Sequence, residues 1–258
     1  MESTSLQRAC REFAAKDPVA NVLVLSDLYS PLCQVSNVYC SVQDRRVLGI
    51  CSVYHAFSAP SIVFSNAALE MKHALFKQAL YEVSDRFISP CHLDEIRLFK
   101  EYATILRNRL EHQMIANPPR KTEFSGFEVV RICKNELGLL DKFYGEHHAE
   151  AWAPIQFKAG PYYCVKQDGK IVCAAGVHAV TPQIAQLGNI YTHEAHRSRG
   201  YATACTGVLA ADLASKRRII SPFVKNDNTR AIRMYEKLGF SKRHEIAFLT
   251  LQKSNRLD

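Results

Sequence analysis

The sequence predicts a mixed α/β fold made of two related halves. Three observations carry that prediction. A hairpin pattern occurs twice, a basic glycine loop sits between a strand and a helix, and a strand–helix–strand segment follows near the C-terminus. The hairpin pattern is Tyr39-Cys40-Ser41-Val42-Gln43-Asp44-Arg45-Arg46-Val47 against Tyr163-Cys164-Val165-Lys166-Gln167-Asp168-Gly169-Lys170-Ile171. The two lie at an offset of 124, and four of nine positions are identical. Each reads as strand, tight polar turn, strand. Each second strand runs on to a proline-bearing turn, Ala59-Pro60 or Thr181-Pro182, and to a further strand candidate.

The polar segment Asn117-Pro118-Pro119-Arg120-Lys121-Thr122 reads as the boundary, dividing the chain into 1–122 and 123–258. Before it, Phe87 to Met114 reads as mixed strand and amphipathic helix. After it, Glu128 to Ile132 reads as a fresh strand. Leu187 to Thr192 is strand-like. Tyr201 to Lys216 is helix-like, with apolar Tyr201, Cys205, Val208, Leu209 and Leu213 at helical spacing. Ile219 to Val224 is a strand candidate. In the helix that follows, Asn228 is a good N-cap, Ala231, Ile232, Tyr235 and Leu238 share one face, and Gly239 is the stop. Phe240 opens a final strand through Ile246 to Leu251.

Composition narrows the function class. The chain has 258 residues, 47% hydrophobic and 22% charged, which suits a soluble globular protein with a sizeable core. Its longest clean apolar run, Val22 to Leu25 with Val19 and Ala20 nearby, is too short for a bilayer. Met1-Glu2-Ser3-Thr4 leads into no signal-peptide core. A cytoplasmic protein without membrane contact is expected. Nine cysteines, an odd number with no Cys-x-x-Cys pair, read as reduced buried thiols, and no metal is expected.

Charge is concentrated rather than spread. Residues 197–243 carry 11 Lys and Arg against 3 Asp and Glu, which accounts for the whole net charge of +8. That stretch is built to meet anions. Its first residues are Arg197-x-x-Gly200-x-Ala202, between the strand and the helix. The first N–H groups of a helix are unpaired, and the dipole adds positive charge, so a pyrophosphate is a natural occupant. Gly200 permits positive φ and close approach, small Ala202 keeps the first turn open, and Arg197 and Arg199 supply charge. The N-terminal copy has Ser65-Asn66-Ala67-Ala68-Leu69-Glu70 there, without glycine or arginine.

These residues resemble the GNAT superfamily of acyl-CoA-dependent N-acyltransferases. Ile190-Tyr191-Thr192 with Arg197-x-x-Gly200-x-Ala202 looks like its acyl-CoA motif. Asn228-x-x-Ala231-x-x-x-Tyr235-Glu236-Lys237-Leu238-Gly239-Phe240 looks like its second motif. The likeness covers about residues 125–252, and the repeated hairpin extends it to a degenerate first copy without an acyl-CoA loop. The arrangement is a tandem one similar to the glycine N-acyltransferase type. The resemblance implies two mostly antiparallel mixed sheets flanked by helices, with a diverging strand pair in the C-terminal half.

It also implies an N-acetyltransferase moving an acetyl group from acetyl-CoA to a primary amine by direct attack in a ternary complex. Backbone groups of Ile190, Tyr191 and Thr192 would pair with pantetheine. Loop N–H groups from Ser198 through Arg199, Gly200 and Tyr201 to Ala202 would hold the pyrophosphate, and nearby Lys and Arg would meet the 3′-phosphate. Asn228 would contact the pantetheine arm, cap its helix, or both. Tyr235 matches the family's general acid, a phenol of ordinary pKa about 10, or is a buried packing residue. The family's glutamate base corresponds to Gln186, an amide that cannot take a proton at neutral pH. Candidates for the base lie in Glu146-His147-His148-Ala149-Glu150-Ala151-Trp152, with Glu150 and His148 preferred and His193 a further option. The acceptor would be a small-molecule or peptide amine, with no nucleic-acid partner, and a homodimer is allowed. A non-catalytic acyl-CoA-binding or sensing module is the rival reading, and the missing glutamate is its best support.

Overall fold

The computed structural model describes residues 3–120, 126–147, 149, 151–216 and 218–254. In chain order the elements begin with α1 (Ser3–Ala14), α2 (Val22–Leu28), β1 (Ser36–Gln43), β2 (Arg46–Tyr54) and β3 (Ser61–Phe64). Then come α3 (Leu69–Ala79), β4 (Arg86–His92), α4 (Ile96–Lys100), β5 (Ala103–Ile115), β6 (Val130–Arg131) and α5 (Leu137–Glu146). The remainder is α6 (Gln156–Ala159), β7 (Tyr163–Gln167), β8 (Lys170–Val180), β9 (Ile184–Thr192), α7 (Tyr201–Ala214), β10 (Ile219–Lys225), α8 (Thr229–Lys237) and β11 (Ser241–Lys253). The expected strand at 128–132 is shorter, only Val130–Arg131. No helix among the described residues is long and apolar enough to cross a membrane.

The chain forms two compact units, Met1–His112 with His244–Asp258, and Gln113–Arg243. The expected boundary at 122/123 therefore lies inside the second unit, and most of β11 runs in the first. In the first unit the strand order is β1-β2-β3-β4-β11-β5. β4 and β11 pair antiparallel from His92 with Ile246 to Arg86 with Gln252. Its core gathers Val53, Ile62, Phe76, Phe87, Phe99 and Leu249. A 3.6-residue period on α3 turns Lys72, Leu75, Phe76 and Ala79 inward.

The second unit repeats the plan, with strand order β10-β9-β8-β7-β6 and Ala116 bridging Ile220 of β10. Its core gathers Leu140, Tyr144, Tyr162, Val177, Leu209 and Phe240. The two hairpins agree in detail. β1–β2 shifts register between Ser41 and Val42, and β7–β8 shifts between Val165 and Lys166, the same offset of 124. Both turns place two successive residues at positive φ, Asp44 and Arg45 in one and Asp168 and Gly169 in the other. Such a turn matches the right-handed twist of its strands and suits glycine at the second position, which only the later copy has. All nine cysteines are free, and the expected strand and helix positions of Cys40, Cys51, Cys164, Cys173 and Cys205 hold.

Candidate functional site

In the second unit β9 and β10 are parallel and pair only from Ile184–Leu187 with Ile219–Pro222. Beyond Leu187 the two strands part. On its other side β9 stays with β8, where Thr192 meets Cys173 and Tyr191 meets Ala174. Ile190, Tyr191 and Thr192 thus lie on the stretch of β9 that has left β10. The cause of the parting is local. Asn189 stands at φ 55, a left-handed conformation that shifts the strand's register.

Three hydrogen bonds hold that conformation. The Asn189 carbonyl accepts from the Tyr144 hydroxyl. Its Nδ2 donates to Gln156 Oε1 at 2.9 Å and to Tyr162 Oη at 3.1 Å. Tyr162 in turn donates to the Val177 carbonyl at 2.7 Å, and Gln156 Oε1 also accepts from the Ala153 amide at 3.1 Å. These linked bonds brace the bend.

The loop expected to take phosphate lies at the end of this stretch. Gly200 is left-handed at φ 83 and opens α7 as its N-cap, with Ser198 also at positive φ, 66. A Cβ added to Gly200 would meet nothing within 4 Å, so the space over the helix end is clear. The first i to i−4 bond of α7 runs from Ala204 N to Gly200 O at 3.0 Å. The amides of Tyr201, Ala202 and Thr203 precede that ladder and face the loop. The Tyr201 side chain turns away, packing on Phe127 at 4.7 Å and accepting from Gln167 Nε2 at 2.7 Å. These residues fit a pyrophosphate: free amides, a left-handed glycine and two arginines.

Arg197 is tied to the strand as well. Its Nε donates to the Thr192 carbonyl at 3.3 Å, and its Nη2 lies 3.3 Å from Tyr191 Oη and 3.2 Å from Glu194. Arg199 reaches the Ala195 carbonyl at 3.5 Å. His147, just past α5, stacks on Tyr191 with ring centroids 4.4 Å apart and meets His193 edge-on at 5.2 Å. Burial lowers the His147 pKa, and the neighbouring His193 adds to the effect.

The second motif folds as read. Asn228 Oδ1 accepts from the Ala231 amide at 3.1 Å, the expected cap. Ile232, Tyr235 and Leu238 are buried, and the Tyr235 ring packs edge-on against Phe240 at 5.3 Å. On α7 the buried face is Ala204, Cys205, Leu209, Ala210 and Leu213. Val208, expected among them, is only half-buried. Glu150 and His148, the preferred bases, lie outside the described residues.

Three polar residues that sequence reasoning passed over stand beside Gln186 or the bend: His178, Asn189 and Gln156. Asn189 had a signal, a Gly-Asn pair inside a strand run, which marks a bulge. His178 had none, since one histidine among Val177, Ala179 and Val180 reads as core.

A cavity of about 360 Å³ opens in the first unit, over the start of α3. Lys72, Glu95, Asp94, His92, Arg97 and His244 are among its lining residues. The Lys72 ammonium and the Glu95 carboxylate form a buried ion pair within it.

Comparison with known proteins bears on the fold. Residues 168–249 match the family model described as FR47-like protein. A GNAT-family protein from Novosphingobium aromaticivorans superposes with a TM-score of 0.64 at 20% identity, over 90% of this chain and 97% of that one. A tandem GNAT protein from the clavulanic acid biosynthesis pathway gives 0.61 at 12% identity, over 98% and 95%. A GCN5-related N-acetyltransferase from Kribbella flavida gives 0.62 at 12% identity, over 96% and 96%. No curated protein matches the sequence. The fold is shared with these GNAT-family structures, one of them a tandem GNAT protein.

Proposed function

We propose that the second unit is an N-acyltransferase that moves an acetyl group from acetyl-CoA to a primary amine of a small molecule or peptide. One observation carries the reading. The stretch of β9 that has left β10 is followed, across the loop from His193, by a left-handed glycine with clear space above the start of α7. A strand with free backbone groups followed by a ring of free amides suits a ligand with an amide-bearing arm and a pyrophosphate.

Each residue then has a task. Backbone groups of Ile190, Tyr191 and Thr192 pair with the pantetheine amides. The Ser198 to Ala202 amides hold the pyrophosphate, with Arg197 and Arg199 beside them. Arg197, already anchored on Tyr191 and Thr192, adds charge with little further ordering. Exposed Lys225 and Arg230 can meet the 3′-phosphate. Asn228 spends its oxygen on the helix cap, which leaves its Nδ2 for the arm. Acetyl-CoA supplies an activated thioester, and amine attack at its carbonyl forms the C–N bond as the C–S bond breaks. Tyr235 gives its phenolic proton to the departing thiolate.

Calorimetric titration with acetyl-CoA tests the reading, beside a Gly200→Glu variant shown to be folded. Wild type should bind, and the variant, with a carboxylate where the pyrophosphate sits, should not. A folded wild type that binds no acetyl-CoA would overturn the reading. Binding without turnover on a wide amine panel would favour the non-catalytic module, to which the buried amide of Gln186 also points.

A further inference from the structure

We infer that His178 takes the proton from the attacking amine, in place of the glutamate whose position Gln186 occupies. The inference deepens the acyltransferase reading and rests on it. The first step is where the thioester lies. From Gly188 to Thr192 the free stretch of β9 spans four residue steps, about 13 Å at ~3.3 Å per residue. With the phosphates held at Gly200, an arm laid along that stretch brings its sulfur end to Gly188 and Asn189, where β9 leaves β10.

His178 stands at that place. It sits in the register irregularity of β8 between Val177 and Ala179, opposite Leu187 and Gln186 of β9. A Cβ added to Gly188 would lie 1.9 Å from its Cδ2 and 2.1 Å from its Nε2. The imidazole therefore fills the space that only a glycine at 188 leaves. Gln186 and Gly188 point to one face by the two-residue period of a strand, so the ring lies on the face that carries Gln186.

The ring is prepared for a visitor. Its Nε2 is buried and has no hydrogen-bond partner. A buried polar atom without a partner is rare enough to call for a missing donor, and an amine N–H is one. Burial lowers the His178 pKa to about 4, partly opposed by a hydrogen bond with the Asn189 side chain. The ring is thus neutral at pH 7, with a lone pair to accept a proton. Asn189 is itself locked by Gln156, Tyr162 and Tyr144, which fixes the imidazole's neighbour. His147 also has an unpartnered Nε2, but it stacks on Tyr191 beside His193 and Arg197, at the phosphate end.

The step balances. The neutral amine nitrogen bonds to the thioester carbonyl carbon, and its surplus proton passes to His178. The C–S bond breaks, the thiolate takes the Tyr235 proton, and the imidazolium proton returns to the phenolate through solvent. The products are the amide and free CoA thiol.

The test uses the full chain with acetyl-CoA, a panel of primary amines, and water as a fallback acceptor. Release of CoA is followed from pH 5 to pH 9 for wild type, His178→Gln and Gly188→Ala. Gly188→Ala keeps the imidazole but forces it aside. Both variants should melt as cooperatively as wild type, and His178→Gln should bind acetyl-CoA within about twofold of it. Both should lose on the order of 100-fold in rate at pH 7, the scale of a lost general base. The rate of His178→Gln should also climb an additional tenfold per pH unit, as hydroxide replaces the base. Wild-type rates and pH profiles in both variants would overturn the inference and leave the acyltransferase intact. Binding by wild type with no CoA release from any acceptor would overturn it too, leaving a binding module. Absence of acetyl-CoA binding by folded wild type would overturn the reading on which it rests.

Discussion

The starts of α3 and α7 stand at the same point of the repeated plan, yet they have opposite characters. Before α7 an eight-residue loop, 193–200, ends in left-handed Gly200 with clear space above the first amides. Before α3 the chain turns at once. Ser65 still pairs with Ile50, its amide donating to the Ile50 carbonyl and its hydroxyl accepting from the Ile50 amide, both at 2.9 Å. The next amide, Asn66, donates to Asn21 Oδ1 at 2.7 Å. At the helix end itself the N-cap is Ala68 at φ −59, where the second unit has left-handed Gly200. Asp94 and Glu95 line the space above α3, where Glu95 already holds the Lys72 ammonium. A GNAT-like fold alone does not make an anion site. The site depends on the left-handed glycine and the arginines placed just before the helix.

The difference can be broken most forcefully at Gly200. Gly200→Glu should weaken acetyl-CoA binding by on the order of 1,000-fold, about 4 kcal/mol, through like charge and a strained left-handed glutamate. Ala68→Glu, at the matching N-cap in the first unit, should leave that affinity unchanged. Titration calorimetry on the two variants reads the contrast directly.

The buried ion pair of the first unit comes next. Lys72→Met leaves Glu95 buried without its ammonium and should destabilise by about 3 kcal/mol. The double change Lys72→Met with Glu95→Leu should recover most of that in denaturant unfolding. Acetyl-CoA affinity should be unmoved in both, since the pair belongs to the first unit.

Two buried titratable groups give the units opposite pH responses. Burial raises the Asp27 pKa to about 7, with a hydrogen bond from Ser52 at 2.6 Å opposing it. The unfolded carboxyl titrates near 4, so the folded chain holds a proton that the unfolded chain releases between about pH 4 and pH 7. That contribution falls as pH rises through this window. His178 acts the other way, since its folded pKa lies below the unfolded value near 6.5, and its contribution falls as pH drops from there toward 4. Asp27→Asn should raise stability at pH 8 relative to wild type by about 1 kcal/mol, with the gain shrinking toward pH 4, in melts across that range.

The smallest effect concerns the hairpin turns. Arg45 stands at φ 62, whereas its counterpart is Gly169 at φ 73. Arg45→Gly should stabilise, and Gly169→Ala should destabilise, each by ~1 kcal/mol, because only glycine adopts that region without strain.

Much of this was legible in the residues. The repeated hairpins, the Gly200 loop and the Asn228 cap are local patterns with local causes, and each folds where the spacing places it. The partner of the last strand was not legible. Ser241–Lys253 reads as a strand, but its pairing with β4 depends on contacts across some 150 residues, which periodicity does not encode. His178 was hidden for a related reason. Its significance comes from the bend at Asn189 and the missing side chain at Gly188, and those appear only when β8 and β9 are laid side by side.

Acetyl-CoA should occupy the second unit and leave the first untouched. Hydrogen exchange of the intact chain, with and without saturating acetyl-CoA, tests it most directly. Exchange should slow from Gly188 to Ala204 and around Asn228, with Ser61 to Phe76 unchanged. Protection of Asn66 to Phe76, or an unchanged Gly200 loop under saturating acetyl-CoA, would contradict it.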